Sequence, residues 1–408
     1  MSRETIQTVE DDTTAAPSGT GAAPVLSLVP SAEERMLRET VFAIASDFGP
    51  AYYKKVNDEG RSPVELWNAL GERGFLGVHL PQQYGGAGRG LLELTAVLEE
   101  TAAAGCPLLR LLVSPGIIGT ILNRHATPEQ KDRWLRGIAS AKMRFSFGLT
   151  EPGAGSNSRN ISTTARRDGD RYVVNGQKYY ISGVDECDEL LLVTKTGTDR
   201  KGRGQLTLLM VDPRSPGLTM QPIETALEEP EKQFTLFFDN VEVSADRLIG
   251  QEGRGLQAAF DGLNPERILS AAVSIGIGRY ALEKATAYAR TRTVWDGPIG
   301  AHQAIAHPLA DGKIKLETAA LMTQRAAALY DSGLPAGEAS NIAKLAAAEA
   351  GVFCLDRAIQ THGGNGVARE YNLTNYWFLA RLLLIAPVSR EMVLNFVAEH
   401  SLGLPRSY

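Results

Sequence analysis

Apolar residues recur at helical spacing from about Ser31 to Ala141. Ala32–Phe48 carries Met36, Val41, Ile44 and Ala45 on such a repeat, and Pro63–Arg73 and Leu91–Ala104 predict a second and third helix. Thr127-Pro128-Glu129-Gln130 predicts another helix start. Thr127 can cap it, Pro128 suits the first helical position, and Gln130 completes a capping box. Leu80–Gly88 is rich in Gly and Pro and predicts a loop. From about Met143 to Leu248 the pattern turns strand-like. Arg171–Val174 and Lys178–Ser182 flank Asn175-Gly176, a two-residue hairpin signal, and Leu190–Val193, Leu206–Val211 and Phe234–Phe238 are further strands. No long helical stretch separates them, which predicts an antiparallel sheet. Helices return from about Gly255 to Glu399, at Arg267–Tyr288, Ala336–Thr361 and Tyr376–His400. The chain is therefore of the α+β class. It divides into an N-terminal helical domain (31–142), a middle antiparallel β domain (143–252) and a C-terminal helical domain (253–408), with no internal repeat.

Composition narrows what such a chain can do. It has 408 residues, 43% hydrophobic and 22% charged, enough for a large core and ordinary for a folded protein. With 42 Lys and Arg against 47 Asp and Glu, the net charge is −5, so there is no basic footprint for nucleic acid. The apolar runs, such as Leu382–Ala386, fall far short of the roughly 18 residues of a membrane span. Residues 1–30 are rich in Ser, Thr, Pro, Gly and Ala and carry acids, unlike a secretory or mitochondrial leader, and read as a disordered tail of a cytoplasmic protein. Cys106, Cys187 and Cys354 are odd in number and far apart, which suits a reducing compartment and no metal site.

The phosphate loop, the zinc-protease helix and the nucleophile elbow are absent. Gly276-Ile277-Gly278-Arg279-Tyr280-Ala281 matches a dinucleotide fingerprint by letters, but it sits inside a helical pattern with no strand before it, so close helix packing is the better reading. The stretch Phe147-Gly148-Leu149-Thr150-Glu151-Pro152-Gly153-Ala154-Gly155-Ser156-Asn157 is more informative. It combines hydroxyls with three glycines where the strand region begins, and glycines let a ligand approach the backbone closely.

This stretch resembles the Thr-Glu-Pro-x-Ala-Gly-Ser signature of the acyl-CoA dehydrogenase family of flavoenzymes. Asn175-Gly176-Gln177-Lys178-Tyr179-Tyr180-Ile181-Ser182 resembles its second signature, which normally ends Trp-Ile-Thr. Arg292, Trp295 and Gln303 resemble its Arg-x-x-Phe followed by Gln. Gln360-Thr361-His362-Gly363-Gly364-Asn365-Gly366 resembles its Gln-x-x-Gly-Gly-x-Gly. The matches run in family order from about residue 31 to the C-terminus.

The resemblance implies an acyl-CoA dehydrogenase with a C-terminal four-helix bundle, FAD as cofactor and an acyl-CoA substrate. Electrons would pass to an electron-transfer flavoprotein. It implies that Phe147, Leu149 and Thr150 run along the flavin pyrimidine edge. Tyr180 would stack on the ring in place of Trp, and Ser182 would supply the hydroxyl near N5. It implies that Arg292 bonds phosphate, Trp295 packs the adenine, Gln303 belongs to the same site, and Gln360, Gly363 and Gly364 bind the pyrophosphate. Ser156 would bond the pantetheine arm, and Arg267 would also contact substrate. Because the last cofactor group comes from a neighbouring subunit in the family, a homotetramer is implied.

The α-proton of a thioester needs a base, normally a carboxylate whose pKa is raised by burial. Most of the family carries it in Glu-Gly-Thr on the last helical stretch, where this chain reads Ile385-Ala386-Pro387-Val388-Ser389-Arg390-Glu391, with Pro387 at the Glu position. A minority carries it just before an arginine at the start of the long helix. Here that place reads Asn264-Pro265-Glu266-Arg267, with Pro265 at a helix start and Glu266 in the first turn. Glu266 is therefore the expected base and Glu391 its rival. The alternative functions are a flavin monooxygenase or oxidase on the same fold, and a non-catalytic subunit of a hetero-oligomer.

Overall fold

A computed structural model describes residues 29–200 and 202–406. All but two residues of the expected tail thus lie outside the described residues.

The N-terminal helices are α1 (Ala32–Asp58), α2 (Val64–Glu72) and α3 (Leu91–Ala103). They are followed by a continuous helical run of α4 (Leu109–Leu111), a π segment (Leu112–Gly119) and α5 (Thr120–His125), and then by α6 (Pro128–Ala139). Helix α1 runs ten residues past the predicted Phe48 through a kink at Gly49-Pro50, where Gly49 takes φ 66°. Helix α6 starts as predicted. The Thr127 hydroxyl accepts from the Gln130 amide at 3.3 Å, and the Gln130 side chain accepts from the Thr127 amide at 3.0 Å.

The sheet comprises β1 (Phe145–Gly148), β2 (Thr164–Asp168), β3 (Arg171–Ser182), β4 (Glu189–Thr198), β5 (Gly204–Val211), β6 (Leu218–Ile223), β7 (Gln233–Ser244) and β8 (Leu248–Ile249). Its order is β6-β7-β3-β2-β4-β5-β8, with β1 beside β4. Two expectations are corrected here. The sheet is mainly antiparallel, but β1 and β2 both pair with β4 in parallel. Asn175-Gly176 is no hairpin: β3 runs straight through it, and the two-residue turn is Gly169-Asp170, between β2 and β3. The sequence signal at 175–176 has another cause. Gly176 has φ 146°, the register of β3 against β7 shifts there, and a Cβ at this position would lie 2.6 Å from the Thr163 backbone. It is a bulge with a close backbone neighbour.

The third domain is built on α7 (Gly255–Thr291), a short hairpin of β9 (Thr293–Val294) and β10 (Gly297–Pro298), α8 (Gln303–Asp331), α9 (Gly337–His362), α10 (Trp377–Ile385) and α11 (Arg390–Phe396). Helix α8 was not read from the sequence. Tyr376–His400 is not one helix, because the chain breaks at Ala386–Ser389 around a cis Ala386-Pro387 bond. Nor does Pro265 start a helix: α7 begins at Gly255, and Pro265 lies in its interior, where it removes the amide that would bond the Asp261 carbonyl.

Helices α7 and α9 form the most extensive helix pair. A Cβ on Gly351 would stand 2.6 Å from the Ser274 carbonyl oxygen, and one on Gly278 would stand 3.2 Å from the Gly351 Cα. A Cβ on Gly276 would meet the Glu99 carbonyl at 2.4 Å. The glycines of the dinucleotide look-alike therefore let α7 pack against α3 and α9. One large core joins the N-terminal helices, one face of the sheet and the bundle. A second core lies on the sheet's other face, around Tyr172, Ile181, Leu192 and Leu236.

Candidate active site

The first signature is shaped by a buried ion pair that sequence reasoning missed. Glu151 accepts hydrogen bonds from the Ser162 amide (2.7 Å) and hydroxyl (2.6 Å), the Thr163 amide (3.0 Å) and the Lys178 ammonium (2.8 Å). Lys178, with no exposed surface, also donates to the Leu149 carbonyl at 3.0 Å. Burial alone would raise the Glu151 pKa. The Lys178 charge and the hydrogen bonds from Lys178, Ser162 and Thr163 outweigh it and hold the carboxyl at about 2. The pair pins the loop that carries Leu149 and Thr150 to the middle of β3. A signal was available: a Glu and a Lys inside the two signatures are hard to place in a buried strand unless paired.

The same bonds bring the expected flavin-edge residues together. The Tyr179 amide donates to the Thr150 carbonyl at 2.9 Å, and the Ser146 hydroxyl donates to the Ser182 carbonyl at 2.9 Å. Phe147 and Leu149 are half-buried at the end of β1, and the Thr150 hydroxyl has no partner among the described residues. Tyr180 is 52% exposed with φ 56°, which turns its ring out of the sheet beside Tyr179, 4.3 Å away. The Ser182 hydroxyl bonds Gln233 Oε1 at 3.0 Å. The Gln233 amide group in turn donates to Glu229 Oε1 (3.1 Å) and to the Glu231 carbonyl (3.3 Å). Ser156 is exposed on the loop after the signature.

A second group collects where α7 and α9 end. Tyr288 stacks on His362 with centroids 4.2 Å apart, and its hydroxyl accepts from Asn365 at 3.1 Å. Arg292 follows one turn later, exposed and without an ion pair among the described residues. Trp295, 85% exposed with φ 55°, tips the β9–β10 hairpin against His302, 5.8 Å away. Gln303 and Gln360 are exposed, and nothing lies within 4 Å of where a Cβ would stand on Gly363 or Gly364. Helical rise puts Arg292 about 39 Å along α7 from Glu266. One chain thus holds this second group far from Glu266.

Glu266 is recessed in the protein yet keeps part of its side chain accessible. No described residue donates a hydrogen bond to its carboxylate. Burial pushes its pKa up to about 7, against the opposing charges of Arg267 and Lys344. Arg267 donates to Asn264 Oδ1 at 3.0 Å, and Lys344 donates to the Val388 carbonyl at 2.5 Å. Burial pulls the Lys344 pKa down to about 8, helped by Arg267 and opposed by Glu266 and Glu391. Glu391 itself is exposed on the first turn of α11. The π segment joins this place to the flavin-edge strand. Its Ser114 hydroxyl accepts from the Phe145 amide at 3.3 Å, and its Gly116 faces Leu269 on α7.

Among the described residues no cluster of His, Cys, Asp or Glu could hold a metal, and no helix is long and apolar enough to cross a membrane. All three cysteines are free and buried.

Comparison with known proteins adds the lineage. Residues 31–142 match the family description "Acyl-CoA dehydrogenase, N-terminal domain", residues 146–241 its middle domain and residues 253–402 its C-terminal domain. The chain is 49% identical to acyl-CoA dehydrogenase FadE12 of Mycobacterium tuberculosis over 94% of this chain and 99% of that one. Among solved structures it resembles a glutaryl-coenzyme A dehydrogenase bound to glutaryl-CoA, with a TM-score of 0.88 at 27% identity over 93% of this chain and 98% of that one. It also resembles the glutaryl-CoA dehydrogenase of Mycobacterium smegmatis in complex with FADH2, with a TM-score of 0.86 at 25% identity over 93% and 96% of the two chains.

Proposed function

This chain belongs to the acyl-CoA dehydrogenase family and is an oxidoreductase, and from that premise we propose that it converts an acyl-CoA thioester to the trans-2-enoyl-CoA, with Glu266 removing the α-proton and FAD as cofactor. The observation that carries the reading is Glu266: recessed, free of hydrogen-bond donors, and poised at about 7. A general base works best with its pKa near the working pH, and a carboxylate held by no donor keeps its lone pairs for the substrate. Arg267 and Lys344 oppose the charge cost of the ionised form without occupying it.

The residues fit a bound flavin nucleotide. Tyr180 offers an exposed aromatic face, Thr150 a hydroxyl and Arg292 a guanidinium without partners among the described residues, and Gly363-Gly364 an unobstructed backbone. Phe147, Leu149, Thr150, Tyr180 and Ser182 would hold the ring system. Arg292, Trp295, Gln303, Gln360, Gly363 and Gly364 of a neighbouring copy would hold the nucleotide end. Bound there, FAD supplies the acceptor for the hydride. The separation of Arg292 from Glu266 along α7 supports an assembly of copies, which we take as a homotetramer. Light scattering at micromolar concentration should find no FAD-saturated monomer. We assign Ser156 and Arg267 to the acyl-CoA, an electron-transfer flavoprotein as acceptor, and the cytoplasm as compartment, where three unpaired buried thiols are at home.

The test is Glu266→Gln, which keeps size and polarity but accepts no proton at neutral pH. Acyl-CoA should still bind, while anaerobic flavin bleaching slows by at least about a hundredfold, the lower end of general-base contributions. Bleaching at the wild-type rate would overturn the assignment.

A further inference from the structure

Lys344 is an unusual residue for the middle of a helical bundle. Only 1% of it is exposed, and its one hydrogen bond among the described residues, at 2.5 Å, goes to the Val388 carbonyl in the break between α10 and α11. Burying an ammonium costs several kcal/mol unless a nearby anion or several acceptors offset it, so the position calls for a reason.

The packing of the helices supplies one. Helices α7 and α9 run parallel, because Ser274 meets Gly351 near their middles and Tyr288 meets His362 near their ends. Two turns back from Gly351 is Lys344, and two turns back from Ser274 is the Glu266–Arg267 pair. The ammonium therefore comes level with Glu266 at the side of α7 that faces α9. We infer that Lys344 is a positioning residue for the proposed base: its charge, added across the helix interface to that of Arg267, tunes the working pH of Glu266, and its hydrogen bond to Val388 ties the segment around Pro387 to the same spot. The inference rests on the reading of Glu266 given above.

Among the elements packed around Glu266 other than α7 itself, the described charged groups leave this role to Lys344. Arg267, on the same helix and hydrogen-bonded to the neutral Asn264, keeps its charge and is the larger of the two that favour the ionised Glu266; Lys344 is the one brought in from another helix. The π segment that packs on α7 has no ionisable side chain. His79, beside that segment, donates to the Pro115 carbonyl, and burial pushes its pKa down to about 4, so it is neutral. Toward the start of α7, Arg124 and His125 are taken up by Asp261, and Tyr330 of α8 lies under the Arg124 guanidinium. From α3, Glu99 and Glu100 are paired with Arg38 and Arg279. Arg381 of α10 is exposed, and Glu391 of α11 acts on Lys344. Among the described residues, Lys344 is the cation from another element that acts on the Glu266 carboxylate.

The experiment separates charge from anchoring in the holoenzyme. Lys344→Gln keeps a donor for the Val388 carbonyl and removes the charge. The infrared carboxyl band that Glu266→Gln deletes should titrate near pH 7 in the wild type and about one pH unit higher in Lys344→Gln, the lower end of what a nearby opposite charge contributes. The acid limb of kcat/KM should move alkaline by the same amount, with FAD content unchanged, and Lys344→Arg should restore both. Lys344→Met, which fills similar volume without charge or donor, gives the same reading should the glutamine variant fail to accumulate. An unmoved band in a folded, charge-free variant overturns the inference. Should the band move while Glu266→Gln keeps full turnover, the base assignment falls and the coupling of Lys344 to Glu266 stands.

Discussion

Glu151 and Glu266 are both recessed carboxylates beside a lysine, and they end at opposite extremes. Glu151 receives four hydrogen bonds and is held at about 2; Glu266 receives none and sits at about 7. Burial raises both. The Lys178 charge and the donors around Glu151 decide the outcome, because a paired cation and each hydrogen bond to a carboxylate favour the ionised form. The saturated carboxylate is a fastener that fixes the loop of Leu149 and Thr150 on β3. The unsaturated one is left available to a proton. The same chemistry serves as architecture in the sheet and as a candidate for catalysis in the bundle.

The sharpest way to break this contrast is to remove the lysine from the fastener. Lys178→Met leaves Glu151 ionised, buried and short of its cation. Breaking a buried pair costs about 3–5 kcal/mol, so this variant should lose that much stability in denaturant melts and release FAD. The effect has a pH signature. The folded pKa of Glu151 is depressed below its ordinary 4.5, so its contribution is present above pH 4.5 and lost as pH falls toward 2. Wild-type stability that did not fall over that window would contradict the pairing.

Glu266 should behave the opposite way. Its folded pKa lies above 4.5, so the folded state favours the protonated form, and stability drains away as pH rises from about 4.5 through 7. Glu266→Gln removes that penalty. It should stabilise the protein at pH 8 by at most about 3 kcal/mol, the cost of ionising a carboxyl held near 7 instead of 4.5, and leave it nearly unchanged at pH 4. A variant less stable than the wild type at pH 8 would show that the carboxylate is fastened after all.

Much of this was legible beforehand. The α–β–α order, the cap at Thr127 and both signatures were readable because periodicity and capping are local. What escaped was set by distant neighbours. Gly176 reads as a turn residue, but Thr163, pressed against it, makes it a bulge. Pro265 reads as a helix start, but α7 begins at Gly255 and carries it inside. Helix α8 is half exposed along its length, so its apolar stripe is thin. Glu266 follows from the family pattern of a carboxylate just before an arginine. Lys344, 78 positions further on, needed the parallel packing of α7 and α9 to be seen.

Arg292 tests the second cofactor group at a smaller scale. Its guanidinium is exposed and unpaired, so little of the fold depends on it. Arg292→Ala should weaken FAD retention by the loss of charge-assisted bonds, about 1.5–3 kcal/mol, with the melting temperature of the apoprotein unchanged. Equal FAD affinity in the two proteins would remove Arg292 from the nucleotide end.

The smallest effect belongs to Glu391, the rival carboxylate. It stands exposed on the first turn of α11, where solvent screens it, and it acts on Lys344 rather than on Glu266. Replacing it by Gln removes an anion that favours the charged form of Lys344. The lysine, already drawn down to about 8, then loses its proton somewhat earlier. Between pH 7 and 8 the Glu266 carboxylate would face a slightly weaker cation, and its own pKa would rise a little. Flavin bleaching in Glu391→Gln at pH 7 should therefore fall by no more than about threefold, within what a screened surface charge contributes, and should recover at pH 9 and above, where Glu266 is ionised in either case. A hundredfold loss at every pH would instead make Glu391 the base, and would turn the contrast between the two buried glutamates into one between two structural groups.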